Sequence, residues 1–245
     1  MKYLIYLTSL IAMTLSASAQ KGFKQQQLTF ERVRTAYDLK WASIEKELKK
    51  AGFGDGFEMI MNAYKAEGKV EIWLKTAQQT KFTLFKTYNA CAKSGTLGPK
   101  VIEGDLQTPE GFYKINVFNP MSLYHLSLGV DYPNVVDKAR TGKDRKTGGD
   151  IYIHGNCVTV GCIPLTDDKI REVYVLAVEA RNSGQKDISV NIFPFRMTKA
   201  NFESYAKQFP QHIAFWKTLQ PGFDYFEKNK KMVEFTQVGG KYVVR

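Results

Sequence analysis

Histidine and cysteine are scarce in this chain, three of each among 245 residues. The scarcity excludes several chemistries. There are no paired C-x-x-C knuckles and no H-E-x-x-H helix, so no metal is expected, although His154, Cys157 and Cys162 between them could offer three zinc ligands. A serine hydrolase is disfavoured because no G-x-S-x-G elbow is present. No cofactor is expected. No nucleic-acid-binding motif appears, which removes the most obvious partner for a basic protein. Beyond the first twenty residues, no apolar run approaches the roughly 20 residues needed to cross a bilayer.

What is present starts with an export signal. Lys2 supplies a positive n-region, Tyr3 to Leu15 is mostly apolar, and Ala17-Ser18-Ala19 is a small-residue cleavage site. Residues 1–19 are therefore expected to be a signal peptide cut near Ala19, giving a periplasmic or otherwise exported protein, peripheral to the membrane at most. Thirty-five basic against 24 acidic residues give a formal charge of +11, which suits anionic surroundings such as cell-wall polymer or lipid headgroups. The export signal itself argues against nucleic acid.

The remaining chain reads as one α+β unit with helical additions at both ends. Residues 20–68 are expected to be helical: Phe30, Val33, Tyr37, Trp41, Ile44 and Leu48 recur every three or four residues until Gly52, and a second helix is expected over 57–66. From Lys69 the period becomes two. Val70, Ile72 and Leu74, then Phe82, Leu84 and Phe85, predict paired strands that open a β-rich core over 69–196, and Tyr88 to Leu97 is expected to extend it. Tyr113 to Val117 reads as another strand. Residues 119–150 are long, polar and rich in turn formers, with a basic run from Lys138 to Lys146; such a loop is either solvated or a wall beside a site. Thr166 is placed to cap a helix with Asp167 and Asp168 in its first turn, and Ile188, Val190 and Ile192 alternate as a strand. Over 197–245 the pattern predicts helices at 199–209 and 212–219, a turn at Pro221-Gly222, further helix to about 231, and a hairpin turning at Gly239-Gly240. The aromatic residues of this tail read as core.

Chemistry concentrates in Ile151-Tyr-Ile-His154-Gly155-Asn156-Cys157-Val-Thr159-Val-Gly161-Cys162-Ile-Pro164. A histidine closes an alternating apolar run and a cysteine follows eight residues on, so one short loop can bring an imidazole to a thiol. Free cysteine is only a few per cent thiolate at neutral pH, and a neighbouring base raises its reactivity. Gly161 leaves room for a carbonyl to approach and permits unusual backbone angles. Of the other histidines, His212 has no chemical neighbour in sequence.

His154-Gly155 followed by Thr159-x-Gly161-Cys162 resembles the signature of the YkuD-type L,D-transpeptidase catalytic domain. A second, earlier segment, Gly98-Pro99-Lys100…Gly104-Asp105…Thr108-Pro109-Glu110-Gly111-x-Tyr113, resembles the same family in the same order. Asn156-Cys157, Tyr124-His125-Leu126…Asp131-Tyr132-Pro133-Asn134 and Phe215-Trp216…Leu219…Gly222 are similar to its YafK-like branch, over roughly residues 68–245. The resemblance implies a mixed sheet or β-sandwich. It implies Cys162 as nucleophile and His154 as general base, with Gly155, Thr159 and Gly161 supporting the loop and oxyanion. Segment 108–113 would shape the cleft floor, and His125, Tyr132, Lys100 and Asn156 are candidate substrate contacts.

The implied reaction is attack on a peptidoglycan stem peptide to form a thioester, which an amine converts to a cross-link and water hydrolyses. Relatives in the YafK-like branch are associated with release of a lipoprotein attached to peptidoglycan, so hydrolysis is the rival outcome and such a lipoprotein a candidate partner. A non-catalytic murein-binding protein that keeps the fold is the reading from another class. Family members commonly carry Arg two residues after the cysteine; here Pro164 stands there and offers no guanidinium for a substrate carboxylate. The family pattern also favours Cys162 as the free thiol. Cys157 is then a packed thiol or a partner of Cys91, while a Cys157–Cys162 bridge would silence the nucleophile.

Overall fold

A computed structural model describes residues 22–245, and the expected signal peptide lies outside the described residues. After a helical stretch at 22–27, the elements are α1 (Glu31–Lys50), β1 (Glu58–Tyr64), β2 (Lys69–Lys75), β3 (Thr83–Asn89), β4 (Gly111–Asn119), β5 (Ser127–Val130), α2 (Val135–Thr141), β6 (Tyr152–His154), β7 (Ile163–Pro164), α3 (Asp167–Asn182), β8 (Ser189–Phe193), α4 (Lys199–Gln208), a 3₁₀ turn (Pro210–His212), α5 (Ile213–Asn229), β9 (Phe235–Val238) and β10 (Lys241–Val244).

The first eight strands form one mixed sheet, ordered β3-β2-β1-β8-β4-β5-β6-β7, and β9 and β10 form a separate hairpin. The sheet separates two apolar cores. On one face Met59, Met61, Ala63, Ile72 and Ile192 meet the buried stripes of α1 and α3. On the other, Ile60, Tyr64, Trp73, Phe112 and Phe193 meet Trp216, Leu219, Phe223 and Phe226 of α5 and Tyr242 of β10. Successive strand residues point to opposite faces, so strands covered on both sides need apolar residues at nearly every position.

That requirement overturns one expectation. Residues 57–66, expected as a helix, contain the strand β1, parallel to β8 and antiparallel to β2. Its sequence Glu-Met-Ile-Met-Asn-Ala-Tyr is buried after the first residue, so it lacks the alternation of a half-buried strand, and continuous apolarity is ambiguous with a buried helix. α1 agrees with its period, and Thr166 caps α3 by accepting from the Lys169 N–H. β3 stops at Asn89, short of the expected extension to Leu97. The segment 119–150 holds β5 and α2 rather than loop throughout; α2 begins at a reciprocal box between Asn134 and Asp137, inside the stretch read as turn-rich.

The turn expected at Pro221-Gly222 is instead the interior of α5. Proline inside a helix forfeits a hydrogen bond at a cost of about 3 kcal/mol. Against this, Trp216, Leu219, Phe223 and Phe226 are each nearly fully buried, and burying one such side chain contributes roughly 1.5–3 kcal/mol. The aromatic stripe therefore carries the helix through. Gly222 lies on that stripe because Phe112 occupies the space a side chain would need: a Cβ there would meet ring atom Cζ at 2.4 Å.

A test of this packing is Gly222→Ala. Helix propensity alone favours alanine by about 1 kcal/mol, whereas overpacking costs about 1–3 kcal/mol and Phe112 is confined in the core. Urea unfolding is expected to show net destabilisation; a rise in midpoint would mean that α5 does not press on Phe112.

Candidate active site

β6 pairs with β5 on one side and, in parallel, with β7 on the other. Parallel neighbours ordinarily need a crossover of about a dozen residues or more, yet only 155–162 connect these two. The connection must run out and double back, and the sequence supplies the means. Asn156 adopts φ +64°, and its N–H donates to the Asp167 carboxylate at 2.8 Å. Gly161 adopts φ +140°, and a Cβ there would lie 2.9 Å from the Gln107 carbonyl oxygen. The Thr159 hydroxyl accepts from the Gly161 N–H at 3.2 Å and donates to the Cys162 carbonyl at 2.9 Å. Gly155 is equally confined, with the Tyr124 carbonyl oxygen 2.9 Å from a hypothetical Cβ.

A disulfide fixes the loop from outside: Cys91, just past β3, is bonded to Cys157, and the Cys91 N–H donates to the Pro164 carbonyl at 3.0 Å. This selects one of the pairings the sequence left open and leaves Cys162 as the free thiol. Cys162 is partly exposed as a residue; its sulfur donates to the Asp150 carbonyl at 3.4 Å and accepts from the Tyr152 N–H at 3.4 Å. It opens on a groove of about 300 Å³ lined by Tyr64, Lys65, Val70, Leu97, Pro164 and Phe209.

His154 is buried, and its ring lies 4.8 Å from that of Tyr124, centroid to centroid. Nδ1 is 2.5 Å from the Gly155 carbonyl oxygen. A carbonyl can only accept, so Nδ1 carries the proton and Nε2 the lone pair. Ile153 opposes Ile163 and His154 opposes Pro164 in the ladder, so the imidazole's strand runs beside the segment that immediately follows Cys162. No hydrogen bond among the described residues joins the imidazole to the thiol; each is held by backbone instead.

Both groups rest uncharged. Burial pushes the Cys162 thiol above its usual range, as does the Asp150 carboxylate, and the Tyr152 amide and Lys100 only partly oppose them. Burial pulls the His154 imidazole below its usual value, against the opposing pull of the Gly155 carbonyl.

The remaining candidates disperse. Lys100 is buried and paired with Asp105 at 2.7 Å, and the Asp105 carboxylate also accepts from the Val101, Ile102 and Gln107 N–H groups. Its charge is committed to shaping that loop. The Tyr132 ring is buried, and its hydroxyl donates to the Thr147 carbonyl at 3.0 Å. His125 and Asn156 line a separate polar pocket with Arg32 and Asp167, away from the groove.

The resemblance assigned segment 108–113 to the cleft floor but gave no role to its carboxylate. Glu110 is fully buried and accepts from Lys65 Nζ at 2.9 Å, the Gly98 N–H at 2.8 Å and Trp216 Nε1 at 2.8 Å. Lys65 also donates to the Gly98 and Thr108 carbonyls. A carboxylate inside a T-P-E-G turn was the available signal; its partners come from three distant segments. Among the described residues, no group of three or more His, Cys, Asp or Glu side chains is placed to hold a metal ion.

Comparison with known proteins places these features in context. The sequence profile described as the L,D-transpeptidase catalytic domain, YkuD, matches residues 70–188. The chain is 34% identical over 203 residues to YafK of Escherichia coli (strain K12), a provisionally assigned L,D-transpeptidase, covering 82% of this chain and 78% of that one. Among solved structures, it is similar to the helical cell shape determining protein Pgp2 of Campylobacter jejuni, with 21% identity, TM-score 0.44 and 74% of each chain covered. It is also similar to Bd1075 of Bdellovibrio bacteriovorus, with 22% identity, TM-score 0.40, and 71% of this chain and 62% of that one covered.

Thiol chemistry checks this arrangement directly. Under non-reducing denaturing conditions one thiol per chain is expected to react with a disulfide reagent, rising to three after reduction, as the Cys91–Cys157 bond requires. In the native protein, alkylation of Cys162 by iodoacetamide should accelerate with pH to a midpoint above the ordinary thiol value of about 8.5. A midpoint near 6 would mean a resting thiolate.

Proposed function

The chain belongs to the YkuD L,D-transpeptidase catalytic-domain family, and from that premise we propose that it is an exported cysteine acyl-transfer enzyme acting on peptidoglycan stem peptides, with Cys162 as nucleophile and His154 as general base and acid. The observation that carries this reading is the free thiol of Cys162, which lines a groove and immediately precedes β7, the strand paired with the His154 strand.

The resting state requires one movement before chemistry. To engage His154 Nε2, the thiol must first give up its contacts with the Asp150 carbonyl and the Tyr152 N–H. The Gly155 carbonyl holds the proton on Nδ1 and so keeps Nε2 available as the base. As sulfur attacks the scissile carbonyl carbon, Nε2 takes the thiol proton and the carbonyl oxygen becomes an oxyanion. Collapse expels the amine, which leaves with the proton from Nε2, and the acyl group remains as a Cys162 thioester. An incoming amine or water then loses its proton to Nε2, attacks the thioester and regenerates the thiol. A neutral pair suits this sequence, because charge forms only during attack, inside a partly desolvated site where fixed dipoles act strongly.

Export is supported by the Cys91–Cys157 disulfide, a bond typical of oxidising compartments, and by the signal-like residues 1–19, which lie outside the described part of the chain. Among the described residues no helix is long and apolar enough to cross a membrane.

Incubating purified muropeptides with the enzyme and with Cys162→Ala, followed by mass spectrometry, tests the proposal. The wild type is expected to make new cross-links in the presence of an acceptor amine, or to lose linkages where water is the acceptor; Cys162→Ala should do neither. His154→Ala is expected to lower kcat by about 10²- to 10⁴-fold. Protonated His154 cannot act as base, so kcat/KM should fall on the acid side, with its midpoint below the unperturbed imidazole value of about 6.5 because burial lowers the group. Identical product patterns from wild type and Cys162→Ala would sink the reading.

A further inference from the structure

The thiol has a second neighbour besides the apolar groove. Asp150, whose carbonyl accepts from Cys162, ends a loop that folds back over residues 102–103: the Glu103 N–H donates to the Lys146 carbonyl at 2.9 Å, and Gly148 packs on Glu103. Between them lies a pocket of about 350 Å³ whose wall includes Lys138, Arg145, Lys146 and Glu103. Among the described residues none of these three cations takes part in an ion pair, whereas nearby Arg140 is spent on Asp137 and Lys100 on Asp105. Arg145 is oriented by its own backbone, Nε donating to the Thr141 carbonyl at 2.9 Å, which leaves its terminal nitrogens free of that bond.

The pocket is within reach of the reaction. The Cys162 sulfur is 3.4 Å from the Asp150 oxygen, and Gly148 is two residues from Asp150. At 3.8 Å per Cα step, the edge of the pocket is at most roughly 14 Å from the thiol, about the span of four extended residues. Pro164 occupies the position two after the nucleophile and carries no cation of its own.

We propose that Lys138, Arg145 and Lys146 form a carboxylate-binding subsite that receives the free carboxylates of an acidic stem peptide while its scissile carbonyl lies at Cys162. The inference rests on the acyl-transfer reading above and adds the substrate's charge requirement to it. Three cations against the single carboxylate of Glu103 leave a surplus of positive charge that suits the carboxylates of a peptide branch. Arginine and lysine hydrogen bonds to carboxylate are charge-assisted, and the guanidinium can bind it bidentately. The groove lined by Tyr64, Val70, Leu97 and Phe209 would take the less polar part of the substrate.

Binding can be measured apart from turnover. In the Cys162→Ala background, isothermal titration calorimetry would compare synthetic diamino-acid stem peptides bearing free carboxylates with the same peptides amidated. Amidation is expected to weaken binding about tenfold. Replacing Lys138, Arg145 and Lys146 together by alanine should abolish that preference, the swap Lys138→Arg, Arg145→Lys, Lys146→Arg should retain it, and circular dichroism should show all variants folded. Equal affinity for both peptides, no binding of either, or a preference that survives the alanine variant would overturn the subsite. A wild-type enzyme inert on muropeptides, with the binding preference intact, would instead count against acyl transfer alone.

Discussion

The site depends on a loop that has to reverse. Eight residues separate two parallel strands that the sheet places side by side, and only a tethered, tightly turned path can satisfy that geometry. The tether is covalent, joining residues 66 apart in sequence. Closing a loop of that size in the unfolded chain is worth a few kcal/mol to the native state in the chain-entropy picture. Its placement also matters: Cys157 lies within the excursion, three residues after His154 and five before Cys162, so the bridge to the end of β3 restrains the path between them. The turns at Asn156 and Gly161 and the Thr159 hydroxyl set the path between those fixed points.

Behind Lys65 and Thr108 of the groove wall, the polar groups buried around Glu110 are satisfied. Glu110 accepts from a lysine, a backbone amide and an indole, and so binds the end of β1, the segment near Gly98 and α5 into one unit. An unpaired carboxylate there would cost several kcal/mol, so the three donors and the acceptor stand or fall together. Electrostatics at the thiol follow the same logic of partial burial. Burial raises the thiol and lowers the imidazole, which favours the neutral form of each, and Cys162 is at the same time part of the lining of a groove.

Much of this was legible in the residues. The period of α1, the Thr166 cap, the Val70-Ile72-Leu74 alternation and the Gly239-Gly240 turn are local signals that the fold obeys. β1 and Pro221 were misread for one reason. Each carries a local pattern whose meaning depends on what covers it: β1 is apolar on both faces because a core lies on either side, and α5 continues past proline because Phe112 and its neighbours bury the helix. At the site, Cys162 and His154 stood out by type and spacing. Lys100 and Tyr132 also stood out but are engaged by Asp105 and Thr147, partners that a linear reading does not bring to them.

The chemistry available was already written in the residues: an odd number of cysteines, an imidazole eight residues before Cys162, and glycines that permit the turns between them. Residue types and short-range spacing are properties of the chain, and they restrict reactivity before any folding. It took long-range folding to pair Cys91 with Cys157 and leave Cys162 free, to rest the thiol on Asp150 and Tyr152 rather than on the imidazole, and to leave Lys138, Arg145 and Lys146 without an ion pair among the described residues. Those outcomes depend on long-range contacts and on exclusion of water, which arise when the sheet closes and are encoded by no single stretch of the chain.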